Sequence, residues 1–144
     1  MYKLNDYLTD TEFEKLYEEA LRGYNNAYAP YSNFHVGAAL LLKDGRIFNG
    51  CNIENSSYGL CICAERNAMF KAYSEGVKKE DAKCLLVLAD TKDAVSPCGA
   101  CRQVMEELIG LDTLVILSNL HKKNRLFKVR DLLPYSFSGD NLNE

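Results

Sequence analysis

Two short stretches decide how this chain folds and what it can hold: Cys63-Ala64-Glu65 and, 34 residues further on, Pro97-Cys98-Gly99-Ala100-Cys101. Each stands where a loop turns into a helical pattern. Together they supply three thiols whose spacing lets them converge on one metal ion, with a single carboxylate two residues after the first thiol. A structural zinc site takes four protein ligands, whereas a catalytic site takes three and leaves the fourth position for water. Three cysteines beside one acid therefore predict a hydrolytic zinc centre.

Hydrophobic periodicity predicts the elements on either side of these stretches. Apolar residues recur at spacings of three and four over residues 10–28, which indicates a helix that Pro30 closes. Two pairs fit a capping box at its start, Thr9…Glu12 and Thr11…Glu14. Further along, the pattern predicts strands over 36–43 and 46–53 with a two-residue turn at Asp44-Gly45, helices from Cys63 to Gly76 and from about Gly99 to Gly110, strands over 84–89, 113–118 and 125–129, and a helical turn over 129–133.

The predicted order α-β-β-α-β-α-β-β defines the fold class. An antiparallel hairpin followed by two strand–helix–strand crossovers gives a mixed sheet with helices on both faces. We therefore expect an α/β fold, a three-layer α-β-α sandwich around a mixed five-stranded sheet. The 144 residues fit one domain spanning residues 1–144.

Composition and charge limit the classes of molecule that this protein is expected to bind. The net charge of −3 disfavours nucleic acid as the main partner, and the basic residues near the C-terminus are expected to form a solvated turn and edge strand. No signal peptide is recognisable and no stretch approaches 18 apolar residues, so no membrane partner is expected. We expect a cytoplasmic protein whose six cysteines are ligands or buried hydrophobes rather than disulfides. The basic residues are Lys122, Lys123, Arg125, Lys128 and Arg130.

The charge of the predicted metal centre calls for compensation. Three thiolates and one Zn²⁺ carry a net charge of −1, which opposes ionisation of a bound water. The N-terminus of a helix carries about half a positive charge, and both cysteine stretches stand at one. Arg66 follows the acid directly, and its guanidinium could hydrogen-bond a ligand sulfur; a plain surface position is the alternative.

Three other interpretations of the cysteines compete with this one. Cys98 and Cys101 form a C-x-x-C that suits a thioredoxin-like redox pair, but that leaves Cys63-Ala64-Glu65 unexplained. A structural four-cysteine zinc site would use Cys61, which stands unusually close to Cys63. Plain buried cysteines are the third alternative. For the cysteines outside the constellation, the buried interpretation is favoured; these are Cys51, Cys61 and Cys84.

Longer strings around these residues resemble a known family. They are Ala29-Pro-Tyr-Ser-Asn-Phe-His-Val-Gly-Ala38, Gly50-Cys-Asn-Ile-Glu-Asn55, Cys63-Ala-Glu-Arg66 and Ser96-Pro-Cys-Gly-Ala-Cys-Arg-Gln103. The joint pattern, which runs from about Ala27 to Phe137, resembles the small, homotetrameric cytidine deaminases. The resemblance leaves the first ten residues unexplained.

The resemblance implies a role for individual positions. Cys63, Cys98 and Cys101 would bind one Zn²⁺ per chain, and Glu65 would shuttle protons. The other implied roles concern the substrate. Asn52 and Glu54 would hydrogen-bond the ribose 3′-hydroxyl, while Phe34 would pack on the pyrimidine and the Ala64 N–H would face the base carbonyl. Tyr58 and Phe137 would complete a neighbouring subunit's site.

Residue chemistry alone says less about these positions. Asn52 and Glu54 are two apart, so both side chains would leave a strand end on one face, where an amide beside a carboxylate suits a sugar hydroxyl. A surface strand end explains them equally well. Phe34 alone would be assigned to the core. His35 is expected to face away from the site, and His121 to lie in a loop.

The activity implied is hydrolytic deamination of cytidine and 2′-deoxycytidine to uridine and 2′-deoxyuridine. Zinc-bound hydroxide would attack C4, Glu65 would carry protons to the ring nitrogen and the leaving ammonia, and the role would be pyrimidine salvage. Deaminases of nucleotides, of bases in RNA or of antibiotic nucleosides are the nearest alternatives. Those acting on tRNA or nucleotides more often carry His-Ala-Glu where Cys63-Ala64-Glu65 stands. A non-enzymatic zinc-stabilised module would need no Glu65.

Overall fold

Helices and strands alternate along the chain in the predicted order. The structure, a computed structural model, describes residues 1–143. Its helices are α1 (Asp10–Asn26), α2 (Ala64–Ser74), α3 (Gly99–Ile109) and the short α4 (Val129–Leu132), and its strands are β1 (Val36–Leu42), β2 (Ile47–Cys51), β3 (Ala82–Ala89), β4 (Leu114–Asn119) and β5 (Arg125–Lys128). Over residues 1–143, no helix combines the length and apolar content that a membrane span requires.

The five strands form one mixed sheet in the order β2-β1-β3-β4-β5. β3 and β4 are parallel, and every other neighbouring pair is antiparallel. Helix α1 covers one face, while α2, α3 and α4 cover the other. The predicted α/β sandwich with a mixed five-stranded sheet is therefore confirmed.

Both faces of the sheet are buried, which explains the continuous apolar runs of the central strands. Alternate residues of β1 enter opposite cores: Leu40 packs with α2 and α3, and Leu41 packs with α1. The first ten residues, which the sequence left unexplained, extend the α1 core. Leu8 is only 3% exposed and packs in the same cluster as Phe13 and Leu16.

Helix α2 lies unusually close to the sheet at Gly50. A Cβ on Gly50 would stand 2.4 Å from the Ala68 nitrogen and 2.6 Å from the Ala64 oxygen, both main-chain atoms of α2. Only a residue without a side chain allows this approach. The contact fixes the height of α2 above β2, and so the position of the helix start that carries Cys63.

Several predicted boundaries differ in detail. Helix α1 ends at Asn26, ahead of residue 28, because Ala27 is no longer helical and the Tyr28 N–H donates to the Asn52 carbonyl oxygen. Of the two possible capping boxes, the one at Thr9 and Glu12 forms. Gly76 and Gly110 follow α2 and α3 with φ of +88° and +86°, positive values that favour glycine over residues with a side chain.

The hairpin turn was predicted with two residues and has three. The Leu42 N–H donates to the Arg46 carbonyl, and the Gly45 N–H donates back to the Leu42 carbonyl, so Lys43, Asp44 and Gly45 form the loop. Gly45 has φ of +93°, the glycine bulge typical of three-residue hairpins. Asp44 accepts the Arg46 N–H at 3.0 Å, which favours this turn.

Candidate metal centre and substrate site

The topology brings the two cysteine stretches together. Because β2 and β3 both run antiparallel to β1, they end at the same end of the sheet, and the helices that follow them begin there. Cys63 is the N-cap of α2, Cys98 is the N-cap of α3, and Cys101 lies in the first turn of α3. The ligand-forming sulfur atoms of all three lie within 4.8 Å of one another.

The geometry of these thiols fits a zinc ion. Two sulfurs on tetrahedral zinc, each about 2.3 Å from the metal, stand about 3.8 Å apart. The Sγ atoms of Cys63 and Cys98 are 3.8 Å apart. Among residues 1–143 this is the one cluster of three or more potential ligands, and no fourth His, Cys, Asp or Glu joins it. The donor set is thus that of an open site with three protein ligands.

The ionisation of Cys63 opposes the ionisation of Cys101, and a bound cation would relieve that opposition. Hydrogen bonds, first from the Cys101 thiol and then from Arg66, lower the pKa of Cys63 to about 5. That thiolate in turn raises the pKa of Cys101, because the second proton would leave next to a negative charge. Zn²⁺ removes this penalty, since thiolates are its ligands and their protons are released on binding.

Arg66 supplies the compensating charge that the sequence predicted. Its Nη2 donates to the Cys63 sulfur at 3.3 Å. The contact raises the pKa of Arg66, because the Cys63 thiolate stabilises the cation. The Nε of Arg66 is buried and has no hydrogen-bond partner within residues 1–143. The side chain therefore points into the protein toward the thiols rather than out from the helix surface.

Glu65 is buried beside the thiol cluster. It stands in the first turn of α2 and is only 4% exposed. Burial raises its pKa, which favours the protonated carboxyl, and the negative charge of the nearby Cys63 thiolate adds to the shift. A buried carboxylate next to a metal centre, with a raised affinity for protons, suits general acid–base chemistry.

The other cysteines take no part in the cluster. The Cys61 sulfur pairs with the main chain of Asn55, so it is not the fourth ligand of a structural site. Cys84 is fully buried, as predicted. Cys51 and Cys61 were predicted as buried and are only half-buried. The redox interpretation of Cys98 and Cys101 leaves the convergence of Cys63 on them without a reason.

A second group of polar residues surrounds Phe34, at the loop between α1 and β1. Phe34 is 44% exposed, so its assignment to the core from residue type alone is wrong. Asn52 binds the main chain on both sides of it: Nδ2 donates to the Phe34 carbonyl at 2.7 Å, and Oδ1 accepts the Val36 N–H at 2.8 Å. One N–H of the Asn52 amide remains for another partner.

The Glu54 carboxylate binds the same loop. Its Oε1 accepts the N–H groups of Tyr31 and Ser32 at 2.9 Å and 3.1 Å, and its Oε2 accepts the Ser32 hydroxyl. The Ser32 hydrogen bond is the main reason that the pKa of Glu54 is lowered. Residue types alone did not identify Ser32 or Tyr31; the signal was their place in the string that begins at Ala29.

The aromatic residues predicted to serve a neighbouring subunit are exposed. Tyr58 is 75% exposed, and its ring lies 6.1 Å from that of Tyr31. Phe137 is 58% exposed, and its carbonyl accepts a hydrogen bond from Gln103 of α3 at 2.9 Å. Ala64 is the first residue of α2. The first N–H groups of a helix have no intrahelical acceptor, which leaves that of Ala64 to an outside partner.

Arg102 anchors the loop that presents Cys98, a role that the sequence did not reveal. Its guanidinium donates to the Pro97 carbonyl, the Ser96 hydroxyl and the Leu132 carbonyl, at 2.9, 2.7 and 2.9 Å. Three charge-assisted bonds tie the cysteine loop to α4. Its position directly after Cys101 was the available signal.

The remaining polar predictions concern histidines and the basic cluster. His121 lies in a turn, as predicted, and the His35 ring packs 5.9 Å from Tyr24 of α1. Three of the basic residues pair with acids, which agrees with a solvated turn and edge strand. The pairs are Lys122–Glu14, Arg125–Asp93 and Arg130–Asp112.

Comparison with known proteins agrees with this geometry. The family model of the cytidine and deoxycytidylate deaminase zinc-binding region matches residues 10–118. The chain is 53% identical to a cytidine deaminase of Halalkalibacterium halodurans over 91% of this chain and 98% of that one, and 50% identical to one of Sporosarcina psychrophila over 92% and 96%.

A solved structure shows the same likeness in three dimensions. The crystal structure of cytidine deaminase from Burkholderia pseudomallei superposes with a TM-score of 0.85 at 46% identity, covering 90% of this chain and all of that one. The matched region contains Cys63, Cys98 and Cys101, which converge as zinc ligands do. The chain belongs to the cytidine deaminase family of zinc-dependent hydrolases.

Proposed function

We propose that this protein hydrolyses cytidine and 2′-deoxycytidine to uridine and 2′-deoxyuridine, with release of ammonia, in cytoplasmic pyrimidine salvage. One observation carries the proposal: three converging thiols without a fourth protein ligand among residues 1–143, with the buried Glu65 beside them. The names of the relatives supply the substrate class. All six cysteines are unpaired, which supports a reducing compartment.

Glu65 carries the proton transfers in this proposal. When held by Cys63, Cys98 and Cys101, Zn²⁺ supplies a Lewis acid that lowers the pKa of water toward neutrality. Glu65 accepts the proton of the attacking water and delivers it to the pyrimidine ring nitrogen. After addition at C4, Glu65 takes the proton of the new C4 hydroxyl and delivers it to the amine, so that the amine leaves as ammonia and C4 becomes a carbonyl carbon. The raised pKa of Glu65 lets one carboxyl hold the proton between the transfers.

The substrate is held by groups with free hydrogen-bonding capacity. Phe34 offers an exposed ring face to the pyrimidine, and the Ala64 N–H offers a donor to the base carbonyl. Asn52 retains one N–H donor, and Glu54 retains acceptor capacity beyond the three bonds it receives from the loop. A donor beside an acceptor suits a sugar hydroxyl.

We further propose a homotetramer with composite sites. The described chain exposes Tyr58, Phe137 and Tyr135, and exposed aromatics of this kind mark interfaces. Truncation before Tyr135 should raise KM and loosen the oligomer together while zinc is retained. A fully active monomer in sedimentation would exclude the composite site.

Deoxycytidylate is the alternative substrate, since the matching family includes deoxycytidylate deaminases. Two observations argue against it: Glu54 in the described site is an anion, and three members of the basic cluster near the C-terminus, Lys122, Arg125 and Arg130, are engaged in ion pairs with other acids. Turnover of dCMP equal to that of deoxycytidine would overturn the nucleoside assignment.

Metal analysis combined with ammonia release from cytidine tests the proposal. We expect one zinc per chain, and uridine and ammonia in equal amounts. For the variant Glu65→Gln, which should lose ammonia release, Glu75→Gln is the matched control, because Glu75 is an exposed carboxylate at the opposite end of α2. Zinc without any ammonia release would identify a non-enzymatic module.

A further inference from the structure

The loop between α1 and β1 is exposed yet held in one conformation. Residues 30–34 are all exposed, so apolar packing contributes little to their placement. Asn33 adopts φ of +57°, a left-handed conformation that is uncommon for residues other than glycine and that asparagine adopts more readily than most. Its N–H donates to the Ala29 carbonyl at 2.9 Å. Hydrogen bonds must therefore impose the shape of this loop.

The Ser32 hydroxyl stands at the centre of these hydrogen bonds. Its oxygen accepts the Phe34 N–H at 3.0 Å, and it also pairs with the Glu54 carboxylate. A backbone N–H can only donate, and a hydroxyl has a single proton. The Ser32 proton therefore points to Glu54, and the direction of both bonds is fixed.

No other side chain among residues 1–143 joins the same two partners. Asn52 binds the Phe34 carbonyl but not Glu54, and the Tyr31 N–H binds Glu54 but not Phe34. Glu54 accepts three hydrogen bonds from the loop, and a carboxylate offers about four acceptor positions. The Ser32 bond thus determines which way the remaining acceptor position points.

We propose that Ser32 is a positioning residue that holds the Phe34 ring and the Glu54 carboxylate at a fixed separation, so that the base and the sugar of one nucleoside are bound together. This inference rests on the proposed function, in which both residues contact substrate. Neither contact changes during proton transfer at the base. Losing their alignment should therefore raise KM and leave kcat nearly unchanged.

The test compares Ser32→Ala and Ser32→Thr on two substrates, 2′-deoxycytidine and 2′,3′-dideoxycytidine, which lacks the sugar 3′-hydroxyl. Removing a hydroxyl bonded to a charged group costs enough for about a tenfold rise in KM for deoxycytidine. With dideoxycytidine, the rise should be about threefold or less, because Glu54 then has no hydroxyl to bind. Threonine keeps the hydroxyl on an exposed side chain and should restore KM toward the wild-type value.

Ser74→Ala is the matched control. Ser74 is exposed at the far end of α2, and its hydroxyl donates only to the Lys71 carbonyl. Zinc content should match wild type in all three variants, and the thermal unfolding of Ser74→Ala should also match it. The role of Ser32 is refuted by an unchanged KM in Ser32→Ala, by an equal rise on both nucleosides, or by a threonine variant as impaired as alanine. A wild-type protein that turns over neither nucleoside would instead reject the proposed function, and the role of Ser32 with it.

Discussion

Replacing Gly50 by alanine should disable the site, although Gly50 itself is not one of its residues. The new Cβ would stand 2.4 Å from the Ala68 nitrogen and 2.6 Å from the Ala64 oxygen, whereas ordinary contacts begin at 3.4 Å. Both atoms belong to the α2 backbone, which cannot rotate away as a side chain can. Helix α2 must therefore move about 1 Å away from β2, or the sheet must deform to the same extent.

The losses of stability and of kcat that this displacement should cause can both be estimated. Overpacking of this kind costs about 1–3 kcal/mol of stability. Because Cys63 caps the start of α2 and Glu65 stands in its first turn, the shift misplaces the proposed proton carrier relative to the thiols of Cys98 and Cys101. A misplacement of about 1 Å can reduce turnover on the order of 10²-fold. We therefore expect a folded protein with lowered thermal stability and a large loss of kcat.

The assay is steady-state deamination of cytidine, with zinc content and thermal unfolding measured on the same preparation. Gly139→Ala is the control, because its Cβ would meet only the Glu107 carboxylate at 3.9 Å, an ordinary contact. If Gly50→Ala kept kcat within about threefold of wild type, the close approach of α2 to β2 would not be what positions Glu65.

Two further predictions concern single carboxylates. Glu65→Gln should keep zinc and fold but lose on the order of 10²–10⁴-fold in kcat, because the amide cannot carry the proton; a mutant within tenfold of wild type would remove Glu65 from the mechanism. Arg125 lowers the pKa of Asp93 from 3.8 to about 2. Because the pKa of Asp93 is lower in the folded protein than in the unfolded chain, its carboxylate stabilises the fold above pH 3.8, and this stabilisation is lost as the pH falls toward 2. The melting temperatures of wild type and Asp93→Asn should therefore converge between pH 3.8 and pH 2. A constant difference between them would contradict this prediction.

The sequence was sufficient to predict those parts of the site whose positions follow from local sequence patterns. Cys63, Cys98 and Cys101 stand at helix starts that periodicity locates, and the crossovers of an alternating fold bring those starts together. For Arg66, charge balance and its position directly after Glu65 favoured a hydrogen bond to a ligand sulfur over a plain surface position, and its bond to the Cys63 sulfur is present. At these positions, the spacing of the cysteines and the charge of the site allowed few alternative arrangements.

The loop around Phe34 was not predictable in the same way. Its shape depends on side chains from after β2, Asn52 and Glu54, whose bonds to residues 31–36 join positions 16–23 residues apart. No periodicity marks such contacts. The predicted length of the hairpin turn was wrong for a related reason. Asp44-Gly45 suits both a two-residue and a three-residue loop, and the register of β1 against β2 decides between them.

X-ray absorption at the zinc edge tests the central claim most directly, because it counts the ligands that define an open site. The three thiols of Cys63, Cys98 and Cys101, with no fourth His, Cys, Asp or Glu beside them in residues 1–143, predict three sulfurs and one oxygen per zinc. Four sulfurs would contradict this account and would identify a closed structural centre.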